Sequence, residues 1–252
     1  MLRNGSVVFL TLTFYECLER YFNQETKLIF INSIIDFMND FFRHSNEIVI
    51  RDNPDGYLKL NNKTIIIEHF EYDATKNNKK GSETRIEEFR INRKFKNLNS
   101  STHENQFIHE EMKVTHSTEY LRDNFIKVFK EHNSKITQYK QALIKEGIAL
   151  DDNEITTLFC CEDKTTFGCL ALDNGMQTFS VVDVKECLNL ILKSSVDYLL
   201  LCNTYQNDKY MYLLPVSDEL LTFSKNKIAR DIKMIDFKPQ VLGASIFIPN
   251  EN

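Results

Sequence analysis

Apolar and polar positions along this chain fall into blocks of two periods, one helical and one stranded. Over residues 13–43, Phe14, Leu18, Tyr21 and Phe22 make one helical stripe. Leu28, Ile31, Ile34, Ile35, Met38, Phe41 and Phe42 make a second, and Asn23 or Thr26 divides the two. Residues 47–51 (EIVIR) read as a first strand. Residues 56–60 and 63–72 carry strand formers: Tyr57, Leu58 and Leu60, then Thr64 and Ile65 to Ile67. The strongest helical stripe covers 121–145. Leu121, Phe125, Val128, Phe129, Ile136, Tyr139 and Leu143 follow at spacings of three and four, His132 interrupts them, and Gly147 ends the helix. Residues 155–161 (ITTLFCC) predict the next strand. Beyond it we expect strands over 167–172, 179–182, 198–202, 210–214 and 244–248, and helices over 184–193 and 218–223.

The stretch 55–73 is the most informative. Asn61-Asn62 separates its two apolar runs, and Asn tolerates positive φ, which suits the centre of a type I′ hairpin turn. That turn sets the register. Leu60 faces Lys63, Lys59 faces Thr64, and continuing the ladder puts Asp55 opposite Glu68. Opposed residues have Cβ atoms about 4.5–5.5 Å apart, so the two carboxylates repel. The isoleucines before Glu68 indicate a buried strand, where the repulsion costs more. A divalent cation between the acids removes the conflict, and hard carboxylate oxygens suit Mg²⁺ or Mn²⁺. The competing reading makes Asp55 a turn residue after Asn53-Pro54 and Glu68 a solvated strand end.

Pro54-Asp55, the hairpin and the apolar strand carrying Glu68 resemble the PD-(D/E)xK nuclease superfamily over roughly residues 10–165. The resemblance implies an α/β (α+β) restriction-endonuclease-like core: a mixed central sheet flanked by helices, in the order helix, three strands, helix, strand. The chain then reads as a single nuclease-like domain with a polar insertion over 76–120 and a C-terminal αβ extension over 166–252. Asp55 and Glu68 match the family's two metal-binding acids, for Mg²⁺ or Mn²⁺. The implied activity is hydrolysis of phosphodiester bonds, in DNA rather than RNA. The family's lysine, two residues after the Glu, is absent: that position is Phe70. Some branches move this lysine to a nearby helix. The counterpart here is Lys135 on the helix over 121–145, with Gln138 or Tyr139 as a supporting donor and Lys140 as runner-up. The resemblance also implies a bacterial defence or restriction setting, with a homodimer or a partner protein of a defence system. The alternatives are a catalytically inactive binding module on the same fold and an interaction protein whose acids are fortuitous.

Charge distribution bears on the partner. The 252 residues carry a formal net charge of −5, mildly against nucleic acid, yet the segment 76–96 is basic. Lys76, Lys79, Lys80, Arg85, Arg90, Arg93, Lys94 and Lys96 stand there against Glu83, Glu87 and Glu88. This segment follows the Glu68 strand directly and is the candidate phosphate track, Lys76, Lys79, Lys80, Arg85, Arg93 and Lys94 above all. The competing reading is a solvated loop. We read the insertion as polar, with a helix around 83–93. Its HEEMKVTH run (109–116) reads as a helix whose histidines stand about 10.5 Å apart, too far to share a metal. His132 reads as a buried structural histidine, and His69 points away from Glu68 on its strand. The six cysteines show no CxxC pairing and sit mostly in apolar runs, which predicts free thiols and a cytosolic setting. No apolar run reaches the roughly 20 residues needed to span a bilayer, and the first 20 residues do not read as a signal peptide.

Overall fold

The computed structural model describes residues 36–37, 40–41, 43–60, 63–78, 81–99, 106–165, 169–172, 175–178, 181–203, 211–217 and 237–248. In chain order they form β1 (Val49–Ile50), β2 (Gly56–Leu60), β3 (Lys63–Tyr72), β4 (Asn77–Asn78), β5 (Gly81–Ser82), α1 (Glu83–Asn99), β6 (Gln106–His116), α2 (Thr118–Asn133) and α3 (Ile136–Lys145). β7 (Ile155–Asp163), β8 (Cys169–Leu172), β9 (Gly175–Thr178), α4 (Lys185–Leu192), β10 (Tyr198–Asn203), β11 (Met211–Pro215) and β12 (Phe237–Ile248) follow.

The fold is mixed α+β around one six-stranded sheet in the order β1-β2-β3-β7-β10-β11. β3, β7 and β10 run parallel at its centre, and antiparallel neighbours close both sides. The β2–β3 register is the expected one, from Leu60 opposite Lys63 to Gly56 opposite Ile67. The turn residues Asn61 and Asn62, and with them the predicted turn type, lie outside the described residues.

Alternation decides the two faces of the sheet. On β3 the even positions Thr64, Ile66, Glu68, Phe70 and Tyr72 are all buried, beneath the helices. On the other face Ile65 packs with Phe41, Leu58, Leu158 and Leu213, whereas His69 is exposed and Glu71 half-buried. α2 runs back along β3. Asn124 bonds the Asp73 carbonyl, Phe125 packs on Tyr72, Phe129 on Phe70, and His132 reaches Glu68. The main core joins these aromatics to Phe159, Leu188, Ile191 and Leu199.

The helix expected over 121–145 is two helices. α2 starts at Ser117, whose hydroxyl accepts from the Tyr120 N–H at 3.1 Å. It ends at Asn133, and a turn at Ser134 and Lys135 leads into α3. Asn and Ser compete locally for backbone hydrogen bonds, and the Ser134 hydroxyl does so by donating to the Glu131 carbonyl at 2.7 Å. Both helices keep their apolar stripes on the sheet, so hydrophobic spacing alone runs through the break. Gly147, at φ 73°, ends α3 as expected.

The segment 76–120 is more ordered than expected. The helix around 83–93 is present and extends to Asn99. Residues 109–116, expected on a helix, lie in β6 and pair antiparallel with β12. The partner strand begins more than 100 residues later, so no local pattern shows the pairing. α4, β10 and β11 lie close to their expected bounds. Val181–Asp183 is a short 3-10 turn where a strand was expected. Most of the helices expected over 13–43, and the one over 218–223, fall outside the described residues. Among the described residues, no helix is long and apolar enough to cross a membrane.

Candidate metal centre on the β2–β3 hairpin

Asp55 stands just before β2 at a close crossing of chains. A Cβ on Gly56 would meet the Val49 carbonyl oxygen at 3.2 Å and Ile48 Cγ2 at 3.3 Å, so a larger residue would push β1 a few tenths of an ångström from the start of β2. The Arg51 N–H donates to the Asp55 carbonyl at 3.0 Å across the turn. Side chains then carry the hairpin ladder one rung past its last backbone pair. The Asp55 N–H donates to Glu68 Oε1 at 3.2 Å, and the His69 N–H donates to Asp55 Oδ2 at 2.7 Å.

Glu68 is 1% exposed, and an ionised carboxylate there requires donors. His132 supplies one, with Nδ1 at 2.6 Å from Glu68 Oε2. A carboxylate only accepts, which assigns the shared proton to Nδ1. The imidazole stacks on Phe70, ring centres 5.1 Å apart, and meets Phe159 edge-on at 6.4 Å. Phe70 stands where the resembling family has lysine; here it is the platform beneath the histidine. The repulsion expected between the acids is therefore already eased by main-chain N–H groups and an imidazole.

Tyr139 completes the cluster from α3. It is buried, and its hydroxyl lies 3.4 Å from Asn53 Oδ1. Burial pushes the phenol up to about 12; the charges of Glu68 and Asp55 and hydrogen bonding to Glu68 add to the shift. Tyr139 thus stays protonated and remains a donor. Arg51 forms a two-pronged bond to Glu146 at 2.9 Å and 2.9 Å, tying the segment before Asp55 to the end of α3.

The other residues singled out from the sequence are placed elsewhere. Lys135 lies 3.5 Å from Glu131, Lys140 lies 3.3 Å from Asp152, and Gln138 is exposed. The helix nitrogen that reaches the acids belongs to His132. Its break in the apolar stripe was the available signal, but spacing could not show that it overlies Glu68. His69 lies on the opposite face, 3.1 Å from Glu162.

Within 76–96, Lys79 and Lys80 lie outside the described residues. Lys76, Arg93, Lys94 and Lys96 are exposed. Arg85 pairs with Glu71, and Arg90 with Glu87 at 3.1 Å. Cys160, Cys161 and Cys187 form no disulfide among the described residues.

Asp55 and Glu68 supply hard carboxylate oxygens, the donor type that Mg²⁺ or Mn²⁺ takes. Among the described residues no group of three His, Cys, Asp or Glu could hold a metal. An ionised carboxylate has about four lone-pair sites. The hydrogen bonds above take one of these on Asp55 and three on Glu68, leaving more acceptor capacity on Asp55 than on Glu68. No protein-family model, curated protein or solved structure matches the chain.

Proposed function

We propose that this chain is a metal-dependent nuclease that hydrolyses phosphodiester bonds in DNA, on a core of the PD-(D/E)xK type. The observation that carries the reading is Asp55 set beside Glu68 just past the β2–β3 ladder, its N–H on Glu68 Oε1, with the half-buried His132 imidazole on Oε2. With β4, β5, α1 and β6 taken as an insertion, the order β1, β2, β3, α2 and α3, then β7 parallel to β3, supports the strand and second-helix part of the core that the resemblance implies; its first helix falls outside the described residues.

Asp55 and Glu68 would hold the ion. Bound Mg²⁺ or Mn²⁺ supplies a Lewis acid and lowers the pKa of coordinated water. His132 acts on Glu68 as a positioning residue, and its orientation is set by Phe70 and Phe159. Tyr139, protonated at neutral pH, would turn its one hydroxyl proton from Asn53 and Glu68 to a phosphate oxygen brought to the two acids. Cysteines outside any disulfide fit a reducing compartment, and the expected defence setting, homodimer or partner protein belongs to this proposal.

Plasmid cleavage in Mg²⁺ or Mn²⁺ tests the reading. Wild type should cut, and Asp55→Asn and Glu68→Gln should each lose activity by orders of magnitude. Equal cutting by wild type and variants, or none by any, overturns it. One observation favours a second reading, a metal-binding but inactive module. Glu68 has protein donors on both of its oxygens. Metal uptake without cleavage would select that reading.

A further inference from the structure

α1 has two unlike faces. Thr84, Ile91 and Phe95 are buried, and Ile91 and Phe95 pack with Val114 of β6. Opposite them, Arg85, Phe89, Arg93 and Lys96 follow at spacings of four, four and three, one stripe at 3.6 residues per turn. All four are exposed, and Phe89 is 69% exposed, one of few large apolar side chains so open among the described residues. The acids of the helix, Glu83, Glu87 and Glu88, project to the sides of this stripe. Arg85 is bridged to Glu71 from β3, and Arg90, beside the stripe, to Glu87. The stripe runs about 16 Å from Arg85 to Lys96 at 1.5 Å per residue.

We propose that the Arg85–Phe89–Arg93–Lys96 stripe binds single-stranded nucleic acid, with Phe89 stacked on an unpaired base and the cations on the flanking phosphates. This deepens the nuclease reading by naming a substrate with an unpaired segment, and rests on that reading only in taking nucleic acid as the partner. Charge selects a polyanion. The lone ring among cations selects bases, since any base has a face to offer and base–aromatic stacking tolerates sequence. A base inside a duplex has both faces already stacked. A lipid surface fits less well, because a helix lying in a membrane needs a broad free apolar face, and Ile91 and Phe95 are committed to β6.

The test is fluorescence anisotropy of the whole chain in EDTA, where cleavage plays no part. The probes are a labelled single-stranded oligonucleotide, the blunt duplex of the same sequence, and phosphatidylserine vesicles. Wild type should bind the single strand more tightly than the duplex. Phe89→Ala should weaken single-strand binding by about fivefold or more, Phe89→Tyr should restore it, and duplex affinity should stay put. Arg93→Gln with Lys96→Gln should lower the magnitude of the salt slope by about 1.4, at about 0.7 per single-strand phosphate. Unchanged single-strand affinity in Phe89→Ala, with its melting temperature kept, overturns the proposal; so does binding to vesicles alone. Binding without cleavage in Mg²⁺ or Mn²⁺ removes the nuclease reading and leaves this one. Cleavage with no Phe89 effect does the reverse.

Discussion

His132 donates from Nδ1 to Oε2 of Glu68 across 2.6 Å, linking the last turn of α2 to the buried acid of β3. Removing one partner leaves the other buried without its hydrogen bond. His132→Ala should cost about 1–3 kcal/mol in urea unfolding. Glu68→Ala should cost a similar amount, and the double variant should cost less than the sum of the two. Strict additivity in that cycle would mean the two side chains do not interact.

Phe70 shows why a lysine cannot simply be placed two residues after Glu68. It is 4% exposed among Phe125, Phe129, Phe159 and the His132 ring. Phe70→Lys should destabilise the fold by at least about 3 kcal/mol, the scale of losing a packed phenylalanine, and charge burial adds to that. Phe70→Leu should cost less. Activity of Phe70→Lys should fall, because His132 loses its platform. A stable Phe70→Lys with raised activity would contradict the placement of the ring.

Asp163 gives the fold a pH dependence of its own. It is buried at the end of β7, and burial pushes its carboxyl up to about 7; hydrogen bonds from Thr165, the main-chain one at 2.7 Å, pull the other way, and the charge of Asp73 adds to the rise. The unfolded carboxyl titrates near 3.9. Between about 4 and 7 the folded state therefore binds more protons, so this group favours folding below about 4 and loses that contribution as pH rises to about 7. The slope is at most about 1.4 kcal/mol per pH unit. Asp163→Asn should flatten the change in urea midpoint between pH 5 and pH 8. A profile that matches wild type would place the titrating group elsewhere.

The strands and helices that carry the site were legible because their signals are local. Alternation marked β3, spacing of three and four marked α2 and α3, and the two-residue gap at Asn61-Asn62 fixed which residue faces Glu68. What long-range packing decides was not legible. The helical stripe runs unbroken through Ser134 and Lys135, so the turn that ends α2 did not show in it. The resemblance points to Lys135 as a lysine displaced to this helix, yet the side chain of the helix that reaches Glu68 is that of His132. β6 pairs with a strand beginning at Phe237, and nothing in residues 109–116 specifies that partner.

The measurement that bears most directly on the two-acid site is the melting temperature of wild type, Asp55→Asn and Glu68→Gln during titration with Mg²⁺ and Mn²⁺. A ligand at one hundred times its Kd adds about 2.7 kcal/mol to the stability of the state that binds it. For a chain of this length that is a rise of several degrees. Wild type should show the rise and both variants should lose it, since each removes one of the two protein ligands. An equal rise in all three, or none in wild type, would contradict a cation shared by Asp55 and Glu68.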